Sequence, residues 1–251
     1  MDARHKAGHD VERWEEILAK LKVMCARSMH LAVGELGKAF AANSGHEIEF
    51  DFGTVGALQD KLDAGETADV LVLAVPGIDK LEKAGALVAG SRKNVAKTFI
   101  AVCIRDGAPK PDFSTAEAFK RMLEGARAVA TSDPAVGGSA AVYIPVMFDR
   151  MGLAATMAPK SLLEKNGVEV ARRVVEGKAE FGLTLSGEVA SVEGAVIAGP
   201  LPPPFGQDTT YCAAVMAASA AKAKAAAFIA ALTRPDTRTV WTKAGFELPE
   251  R

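Results

Sequence analysis

Cysteines and aromatic residues are scarce in this chain of 251 residues. Phe, Trp and Tyr make up 6% of it, and the 3 cysteines do not have the CxxC spacing of a metal site. Cys25, Cys103 and Cys212 all lie inside apolar, strand-like runs, a pattern that predicts small buried side chains and says nothing about the redox compartment. A disulfide framework and a metal centre are therefore not expected.

The chain also lacks an excess of either charge and a long apolar run. Its 30 Lys and Arg balance 31 Asp and Glu, so the net charge of -1 does not favour a nucleic-acid partner. Lys222 and Lys224 interrupt the alanine-rich tract from Ala213 to Leu232, so no apolar stretch is long and clean enough to span a bilayer. We expect a chain without membrane insertion.

The first twenty residues, MDARHKAGHDVERWEEILAK, lack the apolar core and the small-residue cleavage site of a secretory leader. Taken as it stands, this segment predicts a cytoplasmic chain. It also fits a disordered upstream extension, or a start that replaced a true leader. His5 and His9 lie within it and carry no functional signal.

Several motifs of catalysis and cofactor binding are missing. The sequence contains neither GxGxxG nor GxxxxGK, which gives nucleotide binding little support. It contains neither GxSxG nor HExxH, so hydrolase and metalloenzyme chemistry have no basis in it. No cofactor is expected, and no residue is assigned a catalytic role.

Short β-rich runs alternate with helical ones after Leu21, which predicts an α/β fold with a doubly wound, mainly parallel sheet. Such a sheet binds ligands at the carboxyl ends of its strands. The predicted strands are LKVMCA, EIEFDF, DVLVLAV, TFIAVCI, ARAVAT, EFGLTL, GAVIAG and TTYCAAVMA.

Helix ends are marked by specific residues. Gly45 and Gly65 follow helical runs and suit the left-handed conformation that ends a helix. Ser114 and Glu117 have the spacing of a capping box, and Ser219 suits the start of the helix that runs to Leu232.

Three predicted strand-to-helix junctions carry hydroxyl groups or glycines. They lie at residues 27–28, 52–58 and 132–143. The amino terminus of a helix has unpaired N–H groups and a partial positive charge, so such junctions can surround an anion without net positive charge. The donors that this reasoning singles out are Ser28, Thr54, Gly137, Gly138 and Ser139.

Each of these residues also has a structural interpretation. Ser and Thr are favoured helix caps, so a single junction favours capping, whereas three junctions together favour a binding site. Arg27 suits a carboxylate or phosphate but also a solvated surface. His30 fits the site or a helix surface, and Tyr143 fits a cleft or a half-buried core.

Taken in order, these junctions resemble the molybdate-binding-protein-like branch of the type II periplasmic solute-binding proteins. The resemblance extends from about Leu21 to Pro249. Its most specific part is FGTVGALQDKLDAGETADVLVLA, followed by DKLEKAGALVAGSRKNVAKTFIAV, SDPAVGGSAAVY, VVEGKAEFGLTLSGEV and GPLPPPF.

The resemblance implies two doubly wound α/β lobes joined by crossover strands, with a ligand cleft between them that closes by a hinge motion. Residues 1–20 form the leader, residues 21–104 and 209–251 the first lobe, and residues 105–208 the second. It further implies a monomer that holds a small anion and delivers it to the permease of an ABC importer, which requires a periplasmic location. The implied ligand-binding residues are Arg27, Ser28, Thr54, Val55, Gly137, Gly138, Ser139, Tyr143, Val168 and Leu185, with Gly167 beside Val168.

Two departures from the family pattern weaken the case for molybdate itself. Leu185 stands where molybdate binders usually have a tyrosine, and GGS at residues 137–139 replaces their usual PAG turn. The more open turn suits another or a larger anion, such as a small carboxylic acid paired with Arg27.

A second hypothesis is that the protein is an enzyme, because some members of the same branch resemble aconitate isomerases. Their reaction needs a base that takes a proton from carbon and returns it one double bond away. The available candidates for that base are His30, Tyr143 and Glu188.

Overall fold

The computed structural model of the protein describes residues 20–248. The predicted extension, with His5 and His9, lies outside these residues except for Lys20. The chain divides into two compact units. Unit 1 comprises the described part of Met1–Gly53 together with Ala57–Val95 and Tyr211–Val240, and unit 2 comprises Thr54–Gly56, Ala96–Thr210 and the described part of Trp241–Arg251.

Strands and helices alternate along the described chain, which confirms the predicted α/β class. Short 3-10 turns at Arg27–Met29, Pro134–Val136, Ala158–Lys160 and Pro235–Thr237 supplement them. The elements are β1 (Leu21–Ala26), α1 (His30–Ser44), β2 (Ile48–Gly53), α2 (Val55–Asp63), β3 (Val70–Ala74), α3 (Val75–Lys83), β4 (Lys93–Arg105), α4 (Ala116–Gly125), β5 (Val129–Ser132), α5 (Ser139–Arg150), α6 (Ala154–Met157), β6 (Ser161–Glu164), α7 (Gly167–Val175), β7 (Phe181–Leu185), α8 (Ser186–Val189), β8 (Ala195–Pro200), β9 (Asp208–Val215), α9 (Lys222–Leu232) and α10 (Arg238–Lys243).

In unit 1 the strands follow the order β2, β1, β3, β9. β1 is parallel to β2 and β3, and β9 runs antiparallel to β3. β1 and β3 consist almost entirely of buried residues because helices cover a parallel sheet on both faces. Met24, Leu58, Leu71, Ile78 and Cys212 belong to one apolar core that joins this sheet to α2 and α3.

In unit 2 the strands follow the order β4, β7, β5, β6, and β8 also pairs with β4. β5 is parallel to both β6 and β7, whereas β4 is antiparallel to β7. One apolar core of this unit contains Phe119, Ile144 and Leu183, and a second contains Val170 and Val189. These two cores hold α4, α5 and α7 against the sheet.

The structure confirms most of the local predictions and corrects three. Gly45 and Gly65 have φ values of 72° and 90°, and the three cysteines are buried and free. β6 was not predicted. The capping box was wrong, because Thr115 caps α4 by accepting the N–H of Ala118, and Ser114 bonds Asp112 instead.

The predicted cap at Ser219 was also wrong. The residue before α9 is Ala221, and α9 begins at Lys222. The hydroxyl group of Ser219 donates to the carboxylate of Asp69 and accepts the N–H of Ala221, at 2.5 and 3.0 Å. Asp69 lies 150 positions away in sequence, so a tertiary contact, and not the helix terminus, determines the partner of this hydroxyl group.

Gly37 of α1 lies directly against an aromatic cluster of unit 1. A Cβ atom built on Gly37 would lie 2.3 Å from Cζ of Phe50. The Phe50 ring stacks on Phe52 at 5.2 Å between centroids and lies 6.4 Å from the Phe228 ring, so it has little room to move. A side chain at position 37 would therefore force α1 away from β2.

Gly37→Ala is expected to lower the free energy of unfolding by about 1–3 kcal/mol, because the added methyl group overlaps Phe50. Gly34 is the matched control, since it lies one turn earlier in α1 with no atom within 4 Å of a built Cβ. Gly34→Ala should stabilise the protein by up to about 1 kcal/mol through helix propensity. Urea unfolding followed by circular dichroism measures both, and a loss of the same size in the two variants would contradict this packing.

Candidate functional site

The carboxyl edge of the parallel strands in unit 1 carries a pair of hydroxyl groups. Ser28 follows β1 directly, and its Oγ lies 2.8 Å from the phenolic oxygen of Tyr211. Tyr211 reaches this edge because it pairs in the sheet with Ala74, the last residue of β3. Its side chain is buried, whereas Ser28 is half-buried.

Ser28 does not cap the helix that follows it. Met29 is the residue before α1, and no side chain there bonds the first turn. Either hydroxyl group can donate in the bond between Ser28 and Tyr211. When Tyr211 donates, the proton of Ser28 points to another acceptor, and the bond it accepts strengthens its own donation. The pair can therefore present a polarised O–H group to an anion.

Arg27 and His30 lie at the same junction. The Nη2 atom of Arg27 donates to the carbonyl oxygen of Phe52 at 3.4 Å, and the residue is exposed. Nδ1 of His30 lies 2.9 Å from the carbonyl oxygen of Arg27, and the His30 ring meets Phe52 edge-on at 6.1 Å. The junction thus combines a guanidinium, an imidazole and a hydroxyl group within four consecutive residues.

Thr54 and Val55 occupy the junction between β2 and α2. Thr54 follows the last residue of β2, Val55 is the first residue of α2, and both are exposed. The predicted role of these two residues in ligand binding stays a prediction.

The three parallel strands of unit 2 end at one edge of their sheet, so the junctions after β5, β6 and β7 lie side by side. After β5, Asp133 caps a 3-10 turn, and Gly137 takes a left-handed conformation with φ of 71°. Gly138 precedes α5, and Ser139 is its first residue. Gly138 has no side chain that could cap the helix, and Ser139 is exposed.

Tyr143 lies one turn further along α5. Its hydroxyl group donates to the carbonyl oxygen of Phe205 at 3.0 Å, and its ring packs against an apolar core of unit 2. The phenolic proton of Tyr143 is therefore donated to a backbone oxygen. This agrees with the interpretation of Tyr143 as a half-buried core residue.

The junctions after β6 and β7 are joined by the carboxylate of Glu188. It accepts the backbone N–H groups of Gly167 and Leu185 and the hydroxyl group of Thr184, the last at 2.7 Å. Burial raises the pKa of Glu188 above its ordinary value, and these three hydrogen bonds only partly offset the rise. A Cβ atom on Gly167 would lie 1.9 Å from Oε2 of Glu188, so glycine is needed for the carboxylate to fit.

The position of Glu188 affects two residues that were predicted to contact the ligand. Leu185 is buried, and its N–H group is bonded to Glu188. Val168 is half-buried and follows Gly167 as the second residue of α7. The structure thus brings Gly167, Leu185 and Glu188 together, and it brings Ser28 together with Tyr211 and Arg27.

Sequence reasoning missed Tyr211 and Thr184. Tyr211 is one of 2 tyrosines in the chain, but it lies inside a strand-like run, 183 positions from Ser28. Thr184 lies inside the run FGLTL and is fully buried. A polar residue within an apolar run was the only signal for either of them.

No cluster of three or more His, Cys, Asp or Glu side chains with metal-binding geometry occurs within residues 20–248. None of the helices in that range has the length and apolar character needed to cross a bilayer.

Residues 21–247 match the family of bacterial extracellular solute-binding proteins, and the chain belongs to this family. The predicted resemblance to molybdate-binding members and the predicted periplasmic-binding-protein fold are both confirmed, and the chain is a solute-binding protein by family.

The chain is also similar to individual proteins. The chain is 33% identical over 198 residues to an aconitate isomerase from Pseudomonas sp., an alignment that covers 77% of this chain and 72% of the relative. It is 29% identical over 230 residues to the molybdate-binding protein ModA of Mycobacterium tuberculosis, covering 90% and 84%. The structure of the periplasmic molybdate-binding protein of Azotobacter vinelandii matches this chain with a TM-score of 0.69 and 21% sequence identity. The match covers 92% of this chain and 100% of that protein, and it shows that the two share a fold.

The raised pKa of Glu188 predicts a pH-dependent stability. The folded protein keeps the proton at pH values where the unfolded chain, with a Glu pKa of about 4.3, has released it. This contribution to stability is complete below about pH 4.3 and is lost as the pH rises through the folded pKa. The free energy of unfolding of the wild type, relative to Glu188→Gln, should therefore fall over that range in urea titrations.

Glu193 provides the matched control for this measurement, because it is an exposed glutamate in the turn that follows α8. Glu193→Gln shows what the loss of an exposed carboxyl group does in the same titrations. A wild type and a Glu188→Gln variant that differ by a constant amount at every pH would refute the raised pKa.

Proposed function

We propose that the protein binds a small oxyanion or carboxylate at its strand-to-helix junctions, as its solute. The observation that carries this proposal is the bond between the Ser28 and Tyr211 hydroxyl groups at the carboxyl edge of unit 1. A capping role would have paired Ser28 with the first turn of α1, and the structure does not pair them. The hydroxyl group is instead aligned by a buried tyrosine.

The donors at these junctions suit an anion in a protein with little net charge. Hydroxyl groups and backbone N–H groups at helix starts stabilise negative charge through oriented dipoles. The chain carries a net charge of only -1, and Arg27 is the cation closest in sequence to Ser28. Such a site recognises an anion by the directions of its hydrogen bonds more than by attraction at long range.

A carboxylate is favoured over a tetrahedral oxyanion. Leu185 offers no hydroxyl group at the end of β7, and its N–H group is already donated to Glu188. Arg27 is exposed and uses one N–H donor on a backbone oxygen, so its planar guanidinium keeps donors for a carboxylate. A relative named for aconitate, a tricarboxylate, supports the same choice.

Delivery of this solute to the permease of an ABC importer is part of the proposal. The family is that of extracellular solute-binding proteins, and the relatives include a protein named for molybdate binding. The placement of Thr54, Val55, Gly137, Gly138, Ser139, Tyr143 and Val168 at the ligand, and the monomeric state, belong to the proposal too.

Ser28→Ala is expected to weaken anion binding by about ten- to a hundredfold, since a hydrogen bond to a charged group contributes about 1.5–3 kcal/mol. Calorimetric titration with trans-aconitate, citrate, molybdate and sulfate measures the effect. A preceding thermal-shift screen identifies the ligand, because an anion at a hundred times its Kd stabilises by about 2.7 kcal/mol. Tyr211→Phe should weaken binding less, because Ser28 keeps its own hydroxyl group.

The control variant is Ser114→Ala. The hydroxyl group of Ser114 donates to Asp112 in its own turn of unit 2, so its loss should leave the affinity unchanged. The proposal fails if no anion binds the wild type, or if Ser28→Ala binds as tightly as the wild type does.

Isomerisation of a tricarboxylate is the second candidate function. The observation in its favour is the 33% identity to an aconitate isomerase. The reaction removes a proton from the carbon next to the double bond and returns one at the far end of the allylic system, with no net change of atoms. Glu188 is a carboxyl group with a raised pKa at a strand edge, which is the kind of group that such a transfer uses.

Proton NMR in deuterated water tests this candidate directly. An isomerase would interconvert cis- and trans-aconitate and place deuterium on the carbon that accepts the proton. Ser28→Ala should slow the reaction if that hydroxyl group holds the substrate. Spectra that stay unchanged, at protein concentrations for which calorimetry shows binding, would eliminate the isomerase and leave the binding protein.

A further inference from the structure

Glu188 lies at the edge of unit 2 where the proposed anion contacts meet. Its carboxylate accepts from Gly167, which begins α7 after β6, and from Leu185, which ends β7. β5 lies between β6 and β7 in the sheet, so the two segments that Glu188 contacts follow the strands on either side of β5. The junction that carries Gly137, Gly138 and Ser139 therefore follows the strand that lies between these two contacts of Glu188.

An anion at this edge meets a second negative charge. The two N–H groups and the hydroxyl group of Thr184 are already donated to Glu188. A carboxylate near another anion binds a proton more readily, because the charged form is disfavoured. A protonated carboxyl group donates one hydrogen bond, which an ionised carboxylate cannot do.

We propose that Glu188 couples anion binding to protonation, because its carboxyl group takes up a proton when the anion binds at the junction after β5. The inference rests on the proposed function. The protonated carboxyl group then supplies one hydrogen-bond donor at this edge. The coupling also makes the affinity fall as the pH rises, because the proton becomes less available.

The surroundings of Glu188 favour proton uptake. Burial already raises the pKa of Glu188 in the absence of an anion, and within the described chain the groups that lower it are the three hydrogen-bond donors and no cation. β7 and β8, which pack against α8, carry no charged side chain. The charged residues on the other neighbouring segments are Asp133 after β5, Glu169, Arg172 and Arg173 on α7, Glu193 after α8, Lys97 on β4 beside Thr98, which bonds Ser186, and Lys243 and Glu247 beside Gly245, which contacts Ser186.

Several of these charged groups are engaged elsewhere. Arg172 pairs with Glu169 at 2.7 Å, and Arg173 pairs with Glu164 at 2.6 Å. Asp133 accepts the N–H of Ala135 at 2.9 Å. Glu169 therefore has a cation beside it, whereas no cation contributes to the pKa of Glu188 within the described chain.

Calorimetry in buffers with different enthalpies of ionisation tests this inference. The probes are trans-aconitate and molybdate near neutral pH, where both are fully ionised and cannot take up the proton themselves. The wild type should bind up to about one proton per anion, and its Kd should rise by up to about tenfold per pH unit above the folded pKa of Glu188. Glu188→Gln should bind the same probe with no proton uptake and with little pH dependence.

Glu193→Gln is the control and should keep the proton uptake of the wild type. Binding without proton uptake in the wild type, or equal uptake in Glu188→Gln, would overturn the role of Glu188 and leave the proposed function intact. If neither probe nor any other anion binds the wild type, the proposed function itself fails, and the inference fails with it. A purely structural role for Glu188 would change the stability of the variant without changing the number of protons bound.

Discussion

The chain must provide acceptors for the N–H groups that are exposed wherever a parallel strand turns into a helix. Parallel strands end at one edge of a sheet, so these donors accumulate there. Unit 2 satisfies two of them with the carboxylate of Glu188, which bonds Gly167 and Leu185. Other side chains satisfy others, as Asn166 does for Glu169 and Asp133 for Ala135. Donors that remain at such an edge are the natural ligands of an anion.

Burying the Glu188 carboxylate costs free energy, and this cost explains which residues lie around it. Burial disfavours its charged form, and no cation compensates it within the described chain. Its neighbours must therefore approach closely, and Gly167 allows this because it has no Cβ atom to fill the space. In unit 1 the polar groups at the corresponding edge are neutral. There the hydroxyl groups of Ser28 and Tyr211 form a hydrogen bond with each other. The two units thus present different chemistry at equivalent edges, a hydroxyl pair with an arginine in one and a carboxyl group in the other.

The fold was largely predictable from the sequence, because strand and helix periodicity is a local property. β6 escaped prediction because its four residues, SLLE, are too short for a period to appear and are only partly buried. The cap of α4 was misplaced by one residue, since both Ser114 and Thr115 have hydroxyl groups, and the choice depended on the bond from Ser114 to Asp112. Boundaries of this kind depend on geometry that the residue types alone do not distinguish.

The sequence by itself determined the α/β class, the helix ends at Gly45 and Gly65, the buried cysteines and the clustering of hydroxyl groups and glycines at junctions. These features follow from residue type and from spacing along the chain. Only the tertiary structure decided that Ser28 bonds Tyr211, 183 residues away, and that Glu188 lies against Gly167. Strand order brings those residues together, and strand order is set by long-range packing, which leaves no periodic trace in the sequence.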